Sequence, residues 1–228
     1  MALHELEVLP DADAAAARFA QLLAMRARAL VAATGSFTLA LSGGSAPWQS
    51  FRLLSDEEVP WDAVELYQID ERVASMGDED RNLTHLEQAL PAQAWAKVHP
   101  MPVGSNDLDA AAAQYAQILP GRLDVAHLGL GPDGHTASLV PGDAVLDVTD
   151  RDVALTAGEY QGRRRMTLTY PMLDRSRELL WLVTGESKVE PLRRLIEGDP
   201  SIPAGRLRAE KSLIVADQAA LSNGRATA

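Results

Sequence analysis

The chain has no cysteine in its 228 residues, so neither a disulfide framework nor a thiolate metal cage can hold it together, and a reducing compartment suits it. Long apolar runs are also missing: no stretch approaches about 18 uninterrupted apolar residues, so no spanning helix is expected. The first residues, Met1-Ala2-Leu3-His4-Glu5-Leu6-Glu7, lack a basic segment followed by an apolar one, so no secretory signal is expected and the cytoplasm is the expected location. Basic charge is scarce, with 21 Lys+Arg against 32 Asp+Glu and a net charge of −11. Such an acidic excess repels phosphate backbones and anionic headgroups, which argues against nucleic acid and membrane surfaces as partners. The one dense basic run, Arg163-Arg164-Arg165, is too short for a nucleic-acid stripe but adequate for one phosphate group. Of the five histidines, His4, His85, His99 and His127 form no metal-ligand spacing, so no metal is expected.

What is present is an ordinary globular composition, 46% hydrophobic and 23% charged, in a chain long enough to bury roughly 70% of its unfolded surface. Asp11 is placed to cap a helix through the alanine-rich run that follows, and Gly35 to stop it. Residues 36–41 read as a strand running into Ser42-Gly43-Gly44-Ser45, with Pro47 suited to the first turn of the next helix. Further strands are predicted over residues 63–69, 97–99, 123–130, 152–157, 166–169, 178–184 and 213–216, and helices over 82–90, 107–119 and 187–197. That alternation predicts one α/β domain over residues 1–228, a mainly parallel twisted sheet flanked by helices on both faces, with 222–228 as a frayed tail.

Ligands of open parallel sheets bind beyond the carboxyl ends of the strands, and three motifs fall at such ends. In Leu41-Ser42-Gly43-Gly44-Ser45 two glycines let backbone amides approach an anion. The spacing fits neither the nucleotide-triphosphate nor the dinucleotide glycine loop, so a small phosphate ester is expected. Asp70-Glu71-Arg72 follows a strand directly; Arg72 can grip an anion bidentately and a neighbouring acid can fix its fork. In Gly129-Leu130-Gly131-Pro132-Asp133-Gly134-His135-Thr136-Ala137-Ser138-Leu139, His135 has the side chain suited to general-base work near neutrality and Asp133 stands where it can fix the ring's tautomer. No nucleophile-elbow sequence surrounds Ser42, Ser45 or Ser138, so attack by an activated water is expected in place of an acyl-enzyme.

These segments, together with Arg165-Met166-Thr167-Leu168-Thr169, resemble the 6-phosphogluconolactonase family within the glucosamine-6-phosphate isomerase/6-phosphogluconolactonase superfamily, in the same order over nearly the whole chain. The resemblance implies a ribose-5-phosphate-isomerase-like, glucosamine-6-phosphate-deaminase-like fold and a cofactor-free carboxylic ester hydrolase acting on 6-phospho-D-glucono-1,5-lactone. It implies His135 as general base with Asp133 orienting it. Ser42, Gly43, Gly44, Ser45, Asp70, Arg72 and Arg165 would line the substrate and phosphate site, and Lys188 of Thr184-Gly185-Glu186-Ser187-Lys188 would be a further phosphate ligand. Two stretches depart from the family pattern: Arg81 precedes Asn82 where a serine is usual, and Gln161-Gly162-Arg163-Arg164 replaces a proline-rich approach to Arg165. The related deaminases carry a glutamate before the proline of the third motif, whereas Val140 precedes Pro141 here. A non-catalytic sugar-phosphate sensor would need a DNA-binding segment, and about ten residues ahead of the first helix cannot form one.

Overall fold

The computed structural model describes residues 4–44 and 46–221. In chain order the elements are β1 (Glu5–Leu9), α1 (Ala12–Thr34), β2 (Phe37–Leu41), α2 (Pro47–Leu53), β3 (Val64–Gln68), β4 (Asp70–Arg72), α3 (Asn82–Ala89) and β5 (Val98–His99). They continue with α4 (Leu108–Ile118), β6 (Val125–Leu128), β7 (Val153–Leu155), β8 (Arg165–Leu168), α5 (Tyr170–Asp174), β9 (Glu178–Val183), α6 (Val189–Glu197) and β10 (Lys211–Asp217). Local chemistry sets these boundaries. The Asp11 carboxylate accepts the Ala14 amide at 2.8 Å and starts α1, and Gly35, at φ 84°, closes it by donating its N–H to the Val31 carbonyl.

Seven strands form one sheet in the order β1-β10-β9-β6-β2-β3-β5, every pair parallel. Both faces are buried, which is why the strands read as continuous apolar runs. Along β9, Leu179, Trp181 and Val183 join one core cluster, while Leu180 and Leu182 join the other. Helices α1, α2 and α3 supply Phe19, Phe51 and Leu86 to the second cluster; α4, α5 and α6 supply Tyr115, Met172 and Leu192 to the first. The mainly parallel sheet with helices on both faces is therefore as expected.

Three details depart from the sequence reading. Glu5–Leu9 forms an edge strand, β1, whose Leu6 and Val8 stay 41% and 44% exposed, so it carries too little apolar signal to be read in advance. Residues 70–72, expected as a charged rim, form β4. The strands at 153–155 and 165–168 leave the main sheet and pair with β4 in a small antiparallel sheet, β4-β8-β7, packed over the first core cluster through Met166, Leu168 and Val153. The expected tail at 222–228 lies outside the described residues, as does Ser45. No helix among the described residues is long and apolar enough to cross a membrane.

Candidate active site

From β2 the chain moves to β3 on one side of the sheet, while β6 on the other side leads to β9 and β10. The loop after β2 feeds α2 on one face; the loop after β6 sends Leu130, Ala137 and Leu139 into the core on the other face. The chain ends of β2 and β6 thus part in opposite directions and open a crevice, the usual ligand position in such sheets. A cavity of about 200 Å³ lies there, lined by Ser42, Gly43, Gly44, Asp70, Arg72, Asn82, Gly131, His135, Gln161, Arg165 and Lys188 among others. A more open hollow of about 400 Å³ adjoins it and shares Gly44, Arg72, Gln161 and Arg165.

Two buried acids build the floor. The Asp70 carboxylate, 3% exposed, accepts the Ser42 hydroxyl at 2.9 Å through one oxygen and the Ser138 hydroxyl at 2.7 Å through the other, tying the glycine loop to the 129–139 loop. Glu71, fully buried, accepts the Asn82 and Leu83 amides at 2.7 and 2.9 Å, which caps α3, and pairs with the buried Arg81. Arg81 is thereby turned away from the cavity. Asn82 faces the cavity; its carboxamide donates to the Asp70 carbonyl at 2.9 Å and accepts from Arg72 at 2.7 Å. A Cβ on Gly43 would stand 1.9 Å from the Asn82 Oδ1, so only glycine lets the loop rest on that side chain. The Gly43 and Gly44 amides have no hydrogen-bond partner among the described residues.

Arg72 and Arg165 stand directly opposite each other on β4 and β8. Like charges in that register repel, and neither guanidinium has a carboxylate partner within 4.0 Å among the described residues. Arg165 is 4% exposed, donates to the Tyr160 carbonyl and the Gln161 carboxamide, and lies 5.0 Å from the Tyr160 ring centroid. Burial lowers its pKa against the pull of Asp70, and the Arg72 charge lowers it further. The Arg72 Nε is buried without a partner among the described residues. Lys188, just ahead of α6, completes the cationic lining; burial lowers its pKa and Asp133 opposes that. Of the triple arginine run, Arg163 binds Asp78 and Asp80 at the outer hollow and Arg164 donates to the Thr156 carbonyl, so Arg165 alone turns into the cavity.

In the same cavity, His135 Nδ1 lies 2.5 Å from an Asp133 oxygen, which also accepts the His135 amide at 3.1 Å. A carboxylate at Nδ1 selects the Nδ1–H tautomer and leaves the Nε2 lone pair free. Burial would raise the Asp133 pKa, but hydrogen bonds from His135, its charge and the Tyr160 hydroxyl outweigh that and hold it below the ordinary carboxylate value. A Cβ on Gly131 would collide with the His135 ring at 2.0 Å, so the glycine is what admits the ring to its place. Sequence reasoning missed Tyr160, whose hydroxyl donates to the second Asp133 oxygen at 3.0 Å. Its only prior signal was its place at the head of the stretch that departs from the proline-rich pattern.

An α/β fold with a cationic crevice at the switch point that also holds a His–Asp pair is the architecture of a small-anion enzyme class. The family profile described as glucosamine-6-phosphate isomerases/6-phosphogluconolactonase matches residues 10–215, and the chain belongs to that family. A 6-phosphogluconolactonase of Mycobacterium tuberculosis is 37% identical over 223 residues, covering 87% of this chain and 89% of the relative. One from a Nostoc species is 35% identical over 199 residues, covering 80% and 81%. Among solved structures, a 6-phosphogluconolactonase from Shewanella baltica superposes with a TM-score of 0.85 at 25% identity, covering 94% of this chain and 97% of the other.

Proposed function

We propose that the chain hydrolyses 6-phospho-D-glucono-1,5-lactone to 6-phospho-D-gluconate, the second step of the oxidative pentose phosphate pathway. The observation that carries this reading is one 200 Å³ cavity lined by Arg72, Arg165 and Lys188, none with a carboxylate within 4.0 Å among the described residues, and by His135 with its Asp133 partner. Arg72, Arg165, Lys188 and the Gly43 and Gly44 amides hold the phosphate. Asp70 serves from behind, fixing Ser42 and Ser138 so that both loops keep their places. The His135 Nε2 takes a proton from water as its oxygen bonds to the lactone carbonyl carbon. The tetrahedral intermediate then breaks its ring C–O bond, and the ring oxygen leaves as a hydroxyl with the proton returned by the imidazolium. Asp133 holds the ring in the required tautomer and stabilises its transient charge.

A δ-lactone is already electrophilic and its leaving group stays tethered, so positioning and one base suffice. The partner is then a small sugar-phosphate lactone and not nucleic acid or membrane, in keeping with the acidic chain, and one unit spanning residues 1–228 works in the cytoplasm, as the cysteine-free sequence suits. A deaminase reading lacks its acid, since the position before Pro141 is Val140, 8% exposed and apolar. The test generates the phosphorylated lactone in situ from glucose 6-phosphate and follows 6-phosphogluconate formation above the spontaneous rate, with chelator present. Acceleration that His135→Ala abolishes is expected; no acceleration by the wild-type protein overturns the reading.

A further inference from the structure

Tyr160 touches both the His135–Asp133 pair and Arg165. Its hydroxyl lies 3.0 Å from Asp133 Oδ2 and 3.2 Å from His135 Nδ1, and its ring meets the imidazole edge-on at 5.1 Å. The Arg165 guanidinium lies 5.0 Å from the same ring's centroid, and its Nε and Nη2 donate to the Tyr160 carbonyl at 3.3 Å. The backbone holds the residue in place through a tight turn. The Tyr160 amide donates to the Arg163 carbonyl at 2.9 Å, and Gln161 and Gly162 take positive φ of 54° and 78° between them. Asp133 lies in a Gly/Pro loop with a side chain 36% exposed, so His135 alone would leave its second oxygen to water and its plane free to turn.

We infer that Tyr160 is a positioning residue for this site: its hydroxyl pins the Asp133 carboxylate so that His135 keeps its Nδ1–H tautomer, while its ring seats Arg165 for the substrate's anion. The kinetic part of this inference rests on the hydrolytic reading above; the tautomer part does not. A hydroxyl that donates to Asp133 also tempers its basicity. The other charged groups near the pair are Lys188, ahead of α6, and Arg165 on β8, and both remain when the hydroxyl alone is removed.

The experiment compares Tyr160→Phe and Tyr160→Leu with the wild type, by steady-state kinetics on the phosphorylated lactone across pH and by ¹⁵N NMR of the imidazoles, with the His135 signals assigned from His135→Gln. For Tyr160→Phe, kcat is expected to fall about 10-fold with KM within about twofold. The His135 ¹⁵N shifts are expected to report a new population of the Nε2–H tautomer. Tyr160→Leu, which also removes the ring, is expected to raise KM a further roughly fivefold. A Tyr160→Phe protein with the wild-type kcat and a wild-type tautomer overturns the inference. If the wild-type protein shows no lactonase turnover, the functional reading falls and the tautomer measurement still decides the inference: a shifted tautomer supports it, an unshifted one sinks it.

Discussion

His127 and His135 stand eight positions apart, one inside β6 and the other in the loop that β6 feeds, and their surroundings give the same ring opposite uses. His127 is fully buried between Phe19 and Phe51, and its Nδ1 accepts the Ser42 amide at 3.3 Å. An amide donor at Nδ1 puts the proton on Nε2, an atom buried without a hydrogen-bond partner among the described residues. His135 meets a carboxylate at Nδ1, which puts the proton there and turns the basic Nε2 to the cavity. The contrast teaches that the tautomer and its use are set by what the first nitrogen meets. One ring braces the glycine loop from below; the other is free to take a proton above it.

The sharpest break of that contrast is His135→Gln, which should lower kcat by about 10² to 10⁴-fold, the usual worth of a general base. The urea midpoint of this variant should barely move, since the ring is an 18%-exposed loop side chain whose loss creates no core cavity. Asp133→Asn keeps the shape but offers Nδ1 an ambiguous partner, so both tautomers become available. A fall in kcat on the order of 100-fold with KM nearly constant is expected, and an unchanged kcat would show that the carboxylate does not orient the ring. At the cationic end, Arg165→Met should lower kcat/KM for the phosphorylated lactone by roughly 50-fold while barely affecting unphosphorylated gluconolactone. Arg163→Met, which removes a half-buried arm already paired with Asp78 and Asp80, should stay within about threefold on both. Equal losses in the two arginine variants would count against Arg165 as the inward cation.

The same physics explains what could be read in advance. Strand-helix alternation, the Asp11 and Gly35 caps and the glycine loops are local features, so the parallel sheet and the His135–Asp133 pair were legible. Partnerships between distant segments were not. Nothing within residues 70–72 says that they pair with 165–167, yet that register is what sets Arg72 opposite Arg165. Likewise Glu71 looks like one of three rim charges, but the amides that fill it come from Asn82 and Leu83. Arg81 and Arg165 are both arginines beside a departure from the family pattern; only the fold shows that one spends its charge on Glu71 and the other faces the cavity. Tyr160 was overlooked because its partners, Asp133 and His135, lie more than twenty residues away.

The smallest expected effect is on stability and sharpens the other side of the contrast. Burial lowers the pKa of His127 to about 3 and that of His4 to about 4, so both rings are neutral in the fold, while the unfolded chain protonates them near 6.5. The unfolded state then binds more protons below that value, and stability rises with pH across the window from about 3 to 6.5. The contribution is complete above pH 6.5 and drains away as pH falls, by up to about 2 kcal/mol for each ring between pH 6.5 and 5. Urea midpoints measured at pH 7 and pH 5 should therefore differ in the wild type, and the difference should shrink by about half in His127→Leu, which keeps the lowered His4. That variant should also be less stable at pH 7 by about 1 to 3 kcal/mol, because the Ser42 amide loses its buried acceptor. A pH dependence that survives His127→Leu undiminished would mean that the ring inside β6 is charged in the fold, and the division between a bracing histidine and a reacting one would have to be redrawn.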